Sequence, residues 1–265
     1  MLISRRSTLA TAAATAALAT TSAAGALAYE PRGAGATQRV QTLLIHQDES
    51  GDQSHSVALT FASTSGAWFA TGGMDGERLR AATQTYQASG FGLRRINAFQ
   101  TAQGVRHTAI WQSGHQAPAQ VENGMTLGEF ESAMAIHAAA GLTVAHVDAC
   151  ATVDGPRFAA IWDKSRAPQR VFAGLTAAGY KAQRMALGAE GYRPRQIAGY
   201  APGGQARFAA VFVRDGAAFD AQHAVPAAKF PAQSRALLAA GFSLKDASGY
   251  VAAGRPFYTA VWERA

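Results

Sequence analysis

"DGPRFAAIWD", residues 154–163, and "GGQARFAAVFV", residues 203–213, each run from a glycine-bearing turn through an arginine into alternating Phe, Ala and Ile or Val. The same ending occurs twice more, as "RHTAIWQ" around Trp111 and "FYTAVWE" around Trp262. Set on the last aromatic, Trp111, Trp162, Phe212 and Trp262 are separated by 51, 50 and 50 residues. A second marker keeps that step: Gly90-Phe91, Gly141-Leu142, Gly191-Tyr192 and Gly241-Phe242. A third stands seventeen residues ahead of it, as Gly73-Met74, Gly124-Met125 and Gly174-Leu175, and as Ala224-Val225 in the last copy. Three markers in constant phase over four copies define a tandem repeat.

Each copy reads as a helix followed by a β-hairpin. Segments such as "DGERLRAATQTYQAS" and "TLGEFESAMAIHAAA" are rich in good helix formers and long enough for about four turns. Asp75, Thr126 and Thr176 occupy one phase, where a side-chain oxygen accepts from the first free backbone N–H groups, and Thr126 with Glu129 makes a capping box. Pro226 holds that phase in the last copy, so its helix is expected to start later, near Pro231. Leu79, Phe130, Tyr180 and Phe230 form one apolar column; Tyr86, His137, Leu187 and Leu237, two turns on, share its face. The glycines that follow suit a left-handed C-cap position. After them come extended segments such as "FGLRRINAF" and "YRPRQIAGY", a turn, and the opening stretch: two strands joined by "QTAQG", "ATVDG", "APGGQ" or "VAAG". Alternation puts Phe158, Ala160 and Trp162 on one face and Arg157, Ala159 and Ile161 on the other.

"VQTLLIHQDE" to "HSVALTFAS" matches the hairpin alone, with Phe61 fifty residues before Trp111. The expected organisation is therefore a half unit at 41–65 and full units at 66–113, 114–164, 165–214 and 215–265. Together they make an α+β fold of tandem helix-plus-hairpin repeats of about 50 residues, with about ten strands and four helices. A curved, mostly antiparallel sheet with helices on one face is expected. A unit of this kind cannot bury its own faces and relies on its neighbours, which accounts for the repetition without reference to function.

Residues 1–28, "MLISRRSTLATAAATAALATTSAAGALA", join a basic start to a mildly apolar Ala/Thr stretch and end in a small-residue cleavage pattern. Arg5 and Arg6 resemble a twin-arginine export signal; a Sec-type signal is the alternative. Residues 29–40 read as a linker, and the expected location is periplasmic or extracellular. No later run is apolar enough to span a bilayer as a helix. Cys150 is the single cysteine, so an intramolecular disulfide is impossible. Without Arg5 and Arg6 the formal charge falls from +7 to +5. That mild balance lacks a dense basic run and argues against nucleic acid as partner.

The series of Gly-Met, capped helix, "GYRP", "IAGY" and "GGQARFAAVF" resembles the bacterial tandem repeat family, found in secreted proteins and beside the β-lactamase-like domain of polyglycine hydrolases. The resemblance covers roughly 41–265 and is clearest in "GMTLGEFESAMAIHAAAGL" and over 191–212. It implies architecture more than activity, because in those hydrolases the catalytic serine belongs to the other domain, in a Ser-x-x-Lys motif absent from this chain. The copies depart from their own pattern at His107, which replaces an aromatic, at Cys150, which stands where the others have Phe99, Tyr200 and Tyr250, and at Phe257, which replaces the arginine.

No His-Glu-x-x-His, Gly-x-Ser-x-Gly, phosphate loop or Cys-x-x-Cys occurs, so no catalytic residue and no cofactor are assigned. Four local features remain. His46, Asp48, Glu49, Asp52 and His55 crowd the first hairpin turn and have the donor types of a metal site, with a solvated turn as the alternative. Arg106, Arg157 and Arg207 form a column that, on consecutive hairpins of one sheet, would step by about 10 Å. Such a ladder suits an anionic or hydrogen-bonding polymer; the alternative is stems that cover apolar sheet while the heads meet local carboxylates. Tyr200, Tyr250 and Phe99, with Tyr192 nearby, are candidates for stacking on sugars or peptides, or else for core. Cys150 and His146 lie about 13 Å apart on one strand, too far for a nucleophile and its base, so the cysteine reads as a small buried hydrophobe. The expected function is that of an exported, non-catalytic binding domain for an extracellular or envelope polymer, peptide or partner protein. A hydrolase of unfamiliar, metal-dependent type and a structural accessory subunit of a secreted enzyme are the alternatives.

Overall fold

The structure is a computed structural model that describes residues 67–165 and 167–264, together with the backbone of four earlier strands. Those are β1 (Ala19–Thr21), β2 (Ala28–Tyr29), β3 (Gln38–Gln47) and β4 (His55–Ser63). The rest of the expected export signal and linker, and Asp48, Glu49 and Asp52 of the expected metal-ligand group, lie outside the described residues. So do the side chains of His46 and His55.

The first full unit is β5 (Trp68–Met74), α1 (Gly76–Ala88), β6 (Phe91–Thr101) and β7 (Gly104–Ser113). The second is β8 (Gln120–Met125), α2 (Leu127–Ala139), β9 (Thr143–Thr152) and β10 (Gly155–Asp163). The third is β11 (Gln169–Leu175), α3 (Ala177–Ala189), β12 (Arg193–Tyr200) and β13 (Arg207–Val213), with a 3-10 turn at Pro202–Gly204. The fourth is β14 (Phe219–Pro226), α4 (Phe230–Ala239), β15 (Phe242–Ala252) and β16 (Arg255–Arg264). Among the described residues no helix is long and apolar enough to cross a membrane.

The helices start where their caps dictate. The side chains of Asp75 and Thr176 accept from the N–H of Arg78 and Gly179, and Thr126 and Glu129 form the reciprocal capping box. Without a side-chain cap, α4 begins at Phe230 beside Pro231 and is three residues shorter than the others. The apolar column faces inward: Leu79, Phe130 and Tyr180 are fully buried. Phe130 stacks on Phe158 at 5.1 Å, Tyr180 on Phe212 at 6.1 Å, and Phe230 meets Tyr258 at 4.8 Å. Each such ring removed from water stabilises the fold by about 1.5–3 kcal/mol.

Two sequence expectations are corrected. Each full unit has three strands, because the Gly-Met marker ends a strand of its own, paired to the second hairpin strand on the side away from the first. Segments such as "QVENGM" carry no apolar alternation to announce a strand, and their register breaks just before Met125. The one curved sheet is instead a set of separate unit sheets, with orders β8-β10-β9, β11-β13-β12 and β14-β16-β15 and the equivalent β5-β7-β6, to which β2 adds. No backbone ladder among the described residues joins one unit to the next.

Units pack face to face. One face of a hairpin meets its own helix and the next unit, so Phe130, Phe158 and Trp162 share a core with Tyr200, Ala209 and Val211. The same arrangement puts Tyr180, Phe208 and Phe212 with Tyr250 and Val261. The first hairpin strands, called the inner strands here, pack unit on unit: β6 on β9, β9 on β12, and β12 on β15. From the half unit, β3 packs against both β6 and β15.

Candidate functional site

A strand at the edge of its sheet has unpaired N–H and C=O groups, and burial makes them costly to leave unpaired. The inner strands meet this need with side chains from the unit that follows. The Asp148 carboxylate accepts from the N–H of Ala98 at 2.8 Å and from Asn97 at 3.3 Å. Gln196 bonds both the N–H and the carbonyl of Val147. Asp246 accepts from the N–H of Ile197 at 3.3 Å, and Ser248 from that of Gly199 at 3.3 Å. His146 Nε2 donates to the Ile96 carbonyl at 2.6 Å, while its Nδ1 accepts from Gln196 at 2.6 Å. These polar side chains are why the sheets stay separate: they occupy the edge that a neighbouring strand would need.

Three of them, with Arg95, form one column. Arg95, His146, Gln196 and Asp246 repeat with the 51, 50 and 50 steps of the markers, and all four are buried. Immediately before each, the inner strand carries a β-bulge. The register skips Arg94, Ala145, Arg195 and Lys245 in turn. A bulge re-aims the extra residue, and here the four copies turn it toward one cavity of about 460 Å³. Arg95, His146, Gln196 and Asp246 line its floor together with His115, Asp163 and Glu263.

Much of the charge is already matched. Arg95 pairs with Asp246 across two units and also donates to the Ala247 carbonyl at 3.4 Å. Behind the wall, buried Arg193 bridges Asp215 at 2.6 Å and Glu263 at 2.7 Å. Burial works to lower Arg193, but these two carboxylates together hold it above the ordinary guanidinium range. Burial raises Asp163, against the N–H of Ala119 that its carboxylate accepts. Burial also pushes Asp148 up to about 6, against its hydrogen bond from Ala98 and the nearby Arg95. His146 is held well below its usual range by burial and then by Arg95. Its two hydrogen bonds fix it as the neutral tautomer with the proton on Nε2. Both ring nitrogens are engaged, so His146 is poorly placed to exchange a proton with a ligand.

The sequence-derived candidates lie elsewhere. Arg106, Arg157 and Arg207 are half-buried near the hairpin turns, each with Nη1 on the carbonyl of the preceding residue at 3.0–3.1 Å. Arg106 lies in the field of Asp75, Arg157 in that of Glu129, and Arg207 donates to Gln205 at 3.1 Å. They sit on the middle strands of three separate sheets, so the spacing expected of one continuous sheet does not apply. Tyr192, Tyr200 and Tyr250 are buried. Tyr200 accepts from the N–H of Gly174 at 3.0 Å, and Tyr192 lies between the guanidinium groups of Arg170 and Arg214 at 5.4 and 5.5 Å. Cys150 is buried, which pushes its thiol up to about 12. Among the described residues no cluster of His, Cys, Asp and Glu has the geometry to hold a metal.

The polar column and the bulge residues are what sequence reasoning missed. Their signal was present, since a polar residue recurs four positions before Phe99, Cys150, Tyr200 and Tyr250 in strands that otherwise read as core. A comparison with curated proteins finds no match. A family model described as a polyglycine hydrolase-like structural repeat matches residues 65–114, 117–165, 167–215 and 216–265. With four consecutive matches over most of its length, the chain belongs to the polyglycine hydrolase-like structural repeat family.

Proposed function

We propose that this chain is an exported, non-catalytic repeat domain that binds an extracellular or envelope polymer, peptide or partner protein. Its five units, the half unit included, curve into a ring with the helices outside and the polar inner strands at the axis. The observation that carries the binding reading is the cavity to which all four full units contribute, bulge residue by bulge residue. Three ionisable groups of β9 are committed to structure: His146, which lines the cavity, by two hydrogen bonds, Asp148 by the Ala98 N–H, and Cys150 by burial. The ring is supported by β3 lying against both β6 and β15. Export is supported by the Arg5-Arg6 signal pattern.

Thermal-shift measurements on the purified protein against cell-wall fragments, glycans, polyglycine and divalent metals test this, because a ligand that binds the native state raises its melting temperature. A shift with a polymer or peptide, without cleavage of polyglycine or peptidoglycan, is expected. Turnover of either substrate would establish the hydrolase instead. Glutamine at Arg106, Arg157 and Arg207 together tells whether that column takes part: weaker binding at an unchanged melting temperature assigns it to the ligand, and loss of fold assigns it to the architecture.

A further inference from the structure

The sheet of the third unit ends in two cations set on one ring. β13 stops at Val213, whose partners are Gln169 on β11 and Arg193 on β12. Arg214 is the next residue, Arg170 follows Gln169, and Tyr192 precedes Arg193, so all three stand across this end of the sheet. The guanidinium carbons of Arg170 and Arg214 lie 5.4 and 5.5 Å from the centre of the Tyr192 ring. Tyr192 is buried, and both arginines are exposed. Stacking on a ring holds a guanidinium in place and leaves its N–H edge for another partner. Among the described residues that partner is not a carboxylate. Arg170 donates to the Gln169 carbonyl at 3.2 Å, and the Arg214 side chain has only the ring. Asp215, next in the chain, is held by Arg193, and exposed Glu190 pairs with neither arginine. The position recurs: Lys164, Arg214 and Arg264 stand two residues past Trp162, Phe212 and Trp262 with the repeat step of 50, and all three are exposed. Arg264 lies 4.8 Å over Phe242, which holds the place of Tyr192, and donates to the Ala240 carbonyl at 3.2 Å. Neither Lys164 nor Arg264 forms an ion pair among the described residues. Three successive units thus present a cation at one repeating place, which suits a ligand whose own charge repeats.

We propose that this row binds an anionic polymer, whose carboxylate or phosphate groups are received by Lys164, Arg214 and Arg264, with Arg170 doubling the charge at the middle place. A guanidinium presents its donors as a planar fork that fits either oxyanion. Arginines already held on a ring lose less side-chain freedom on binding than mobile ones do, so the Tyr192 pair is the strongest point of the row. The inference rests on the polymer-binding reading above and gives that polymer a charge and a place on the molecule.

Isothermal titration calorimetry at constant ionic strength, on the purified full chain, tests it with polygalacturonate, polyphosphate and neutral dextran. Binding of at least one polyanion and not of dextran is expected, and which one binds separates carboxylate from phosphate as the source. Arg170→Gln with Arg214→Gln should weaken that binding about tenfold, as loss of charge-assisted contacts does. Arg80→Gln with Lys229→Gln removes the same charge from exposed positions in the first and fourth units, and should weaken it about twofold at most, since salt screens distant charges. Arg214 is exposed, so Arg214→Gln alone keeps the test open if the double variant fails to fold, and it too should bind more weakly than the Arg80 and Lys229 control. The proposal is overturned if neither polyanion binds, if dextran binds equally, or if the Arg170 and Arg214 variants bind no more weakly than that control. A thermal shift with polyglycine or a neutral glycan that survives such a result would leave the general binding reading standing while removing this row.

Discussion

Gln196 acts on Val147 as a missing strand would: its Oε1 accepts from the Val147 N–H at 3.0 Å and its Nε2 donates to the Val147 carbonyl at 2.8 Å. The two residues are 49 apart in sequence and belong to different sheets, so this amide replaces one rung of a backbone ladder. Gln196→Ala leaves both buried groups unpaired, at about 1–3 kcal/mol each, and should destabilise the protein by about 3 kcal/mol. Urea unfolding at neutral pH measures it. A loss below about 1 kcal/mol would mean that water or another side chain takes over the edge.

Gly199 is small because Tyr250 needs the space. A Cβ at Gly199 would lie 2.3 and 2.5 Å from two carbons of the Tyr250 ring, well inside contact distance. Gly199→Ala should therefore cost about 1–3 kcal/mol, the usual range for overpacking. In a Tyr250→Ala background the same change should cost almost nothing, and a double-mutant cycle reads the coupling directly.

The third repeat marker has a conformational reason. Gly73, Gly124 and Gly174 have φ of +73°, +73° and +70°, at the point where each outer strand breaks register. In the fourth copy Ala224 holds that place with φ +52°, a left-handed conformation costing a residue with a Cβ about 1–2 kcal/mol. Ala224→Gly should raise stability by about 1 kcal/mol, less than the full strain because glycine also gains freedom in the unfolded chain. Gly124→Ala should lower it by a similar amount. An unchanged melting temperature for Ala224→Gly would remove the strain account.

His107 replaces the aromatic found in the other copies, and burial brings it down to about 4 despite its contact with the Met74 carbonyl at 3.3 Å. Its depressed folded pKa favours the neutral form, so its contribution to stability is intact above about 6.5 and is lost as pH falls toward 4. The full loss is up to about 3 kcal/mol. His146, also held low, acts in the same direction; Asp148, raised to about 6, opposes both, favouring the fold as pH falls through that range. Melting curves of the parent and His107→Phe between pH 7 and pH 4 should diverge, with the variant losing less stability. Parallel curves would show that His107 does not titrate with unfolding.

The repeat phase, the helices and their caps, the hairpins and the faces that the apolar residues take were legible in the sequence. Each depends on residues within one unit: Thr126 finds Glu129 three positions on, and Phe130 reaches Phe158 across a single hairpin. The third strand of each unit was not legible, because "QVENGM" pairs through its backbone and has no side-chain period to show it. Tertiary structure alone decided that the sheets remain separate and where the polar column goes. Arg95 and Asp246 are 151 residues apart, and nothing in either neighbourhood indicates that they pair. Whether a polar side chain meets solvent, a ligand or another strand's edge depends on which unit packs against it, and local propensity carries no information on that.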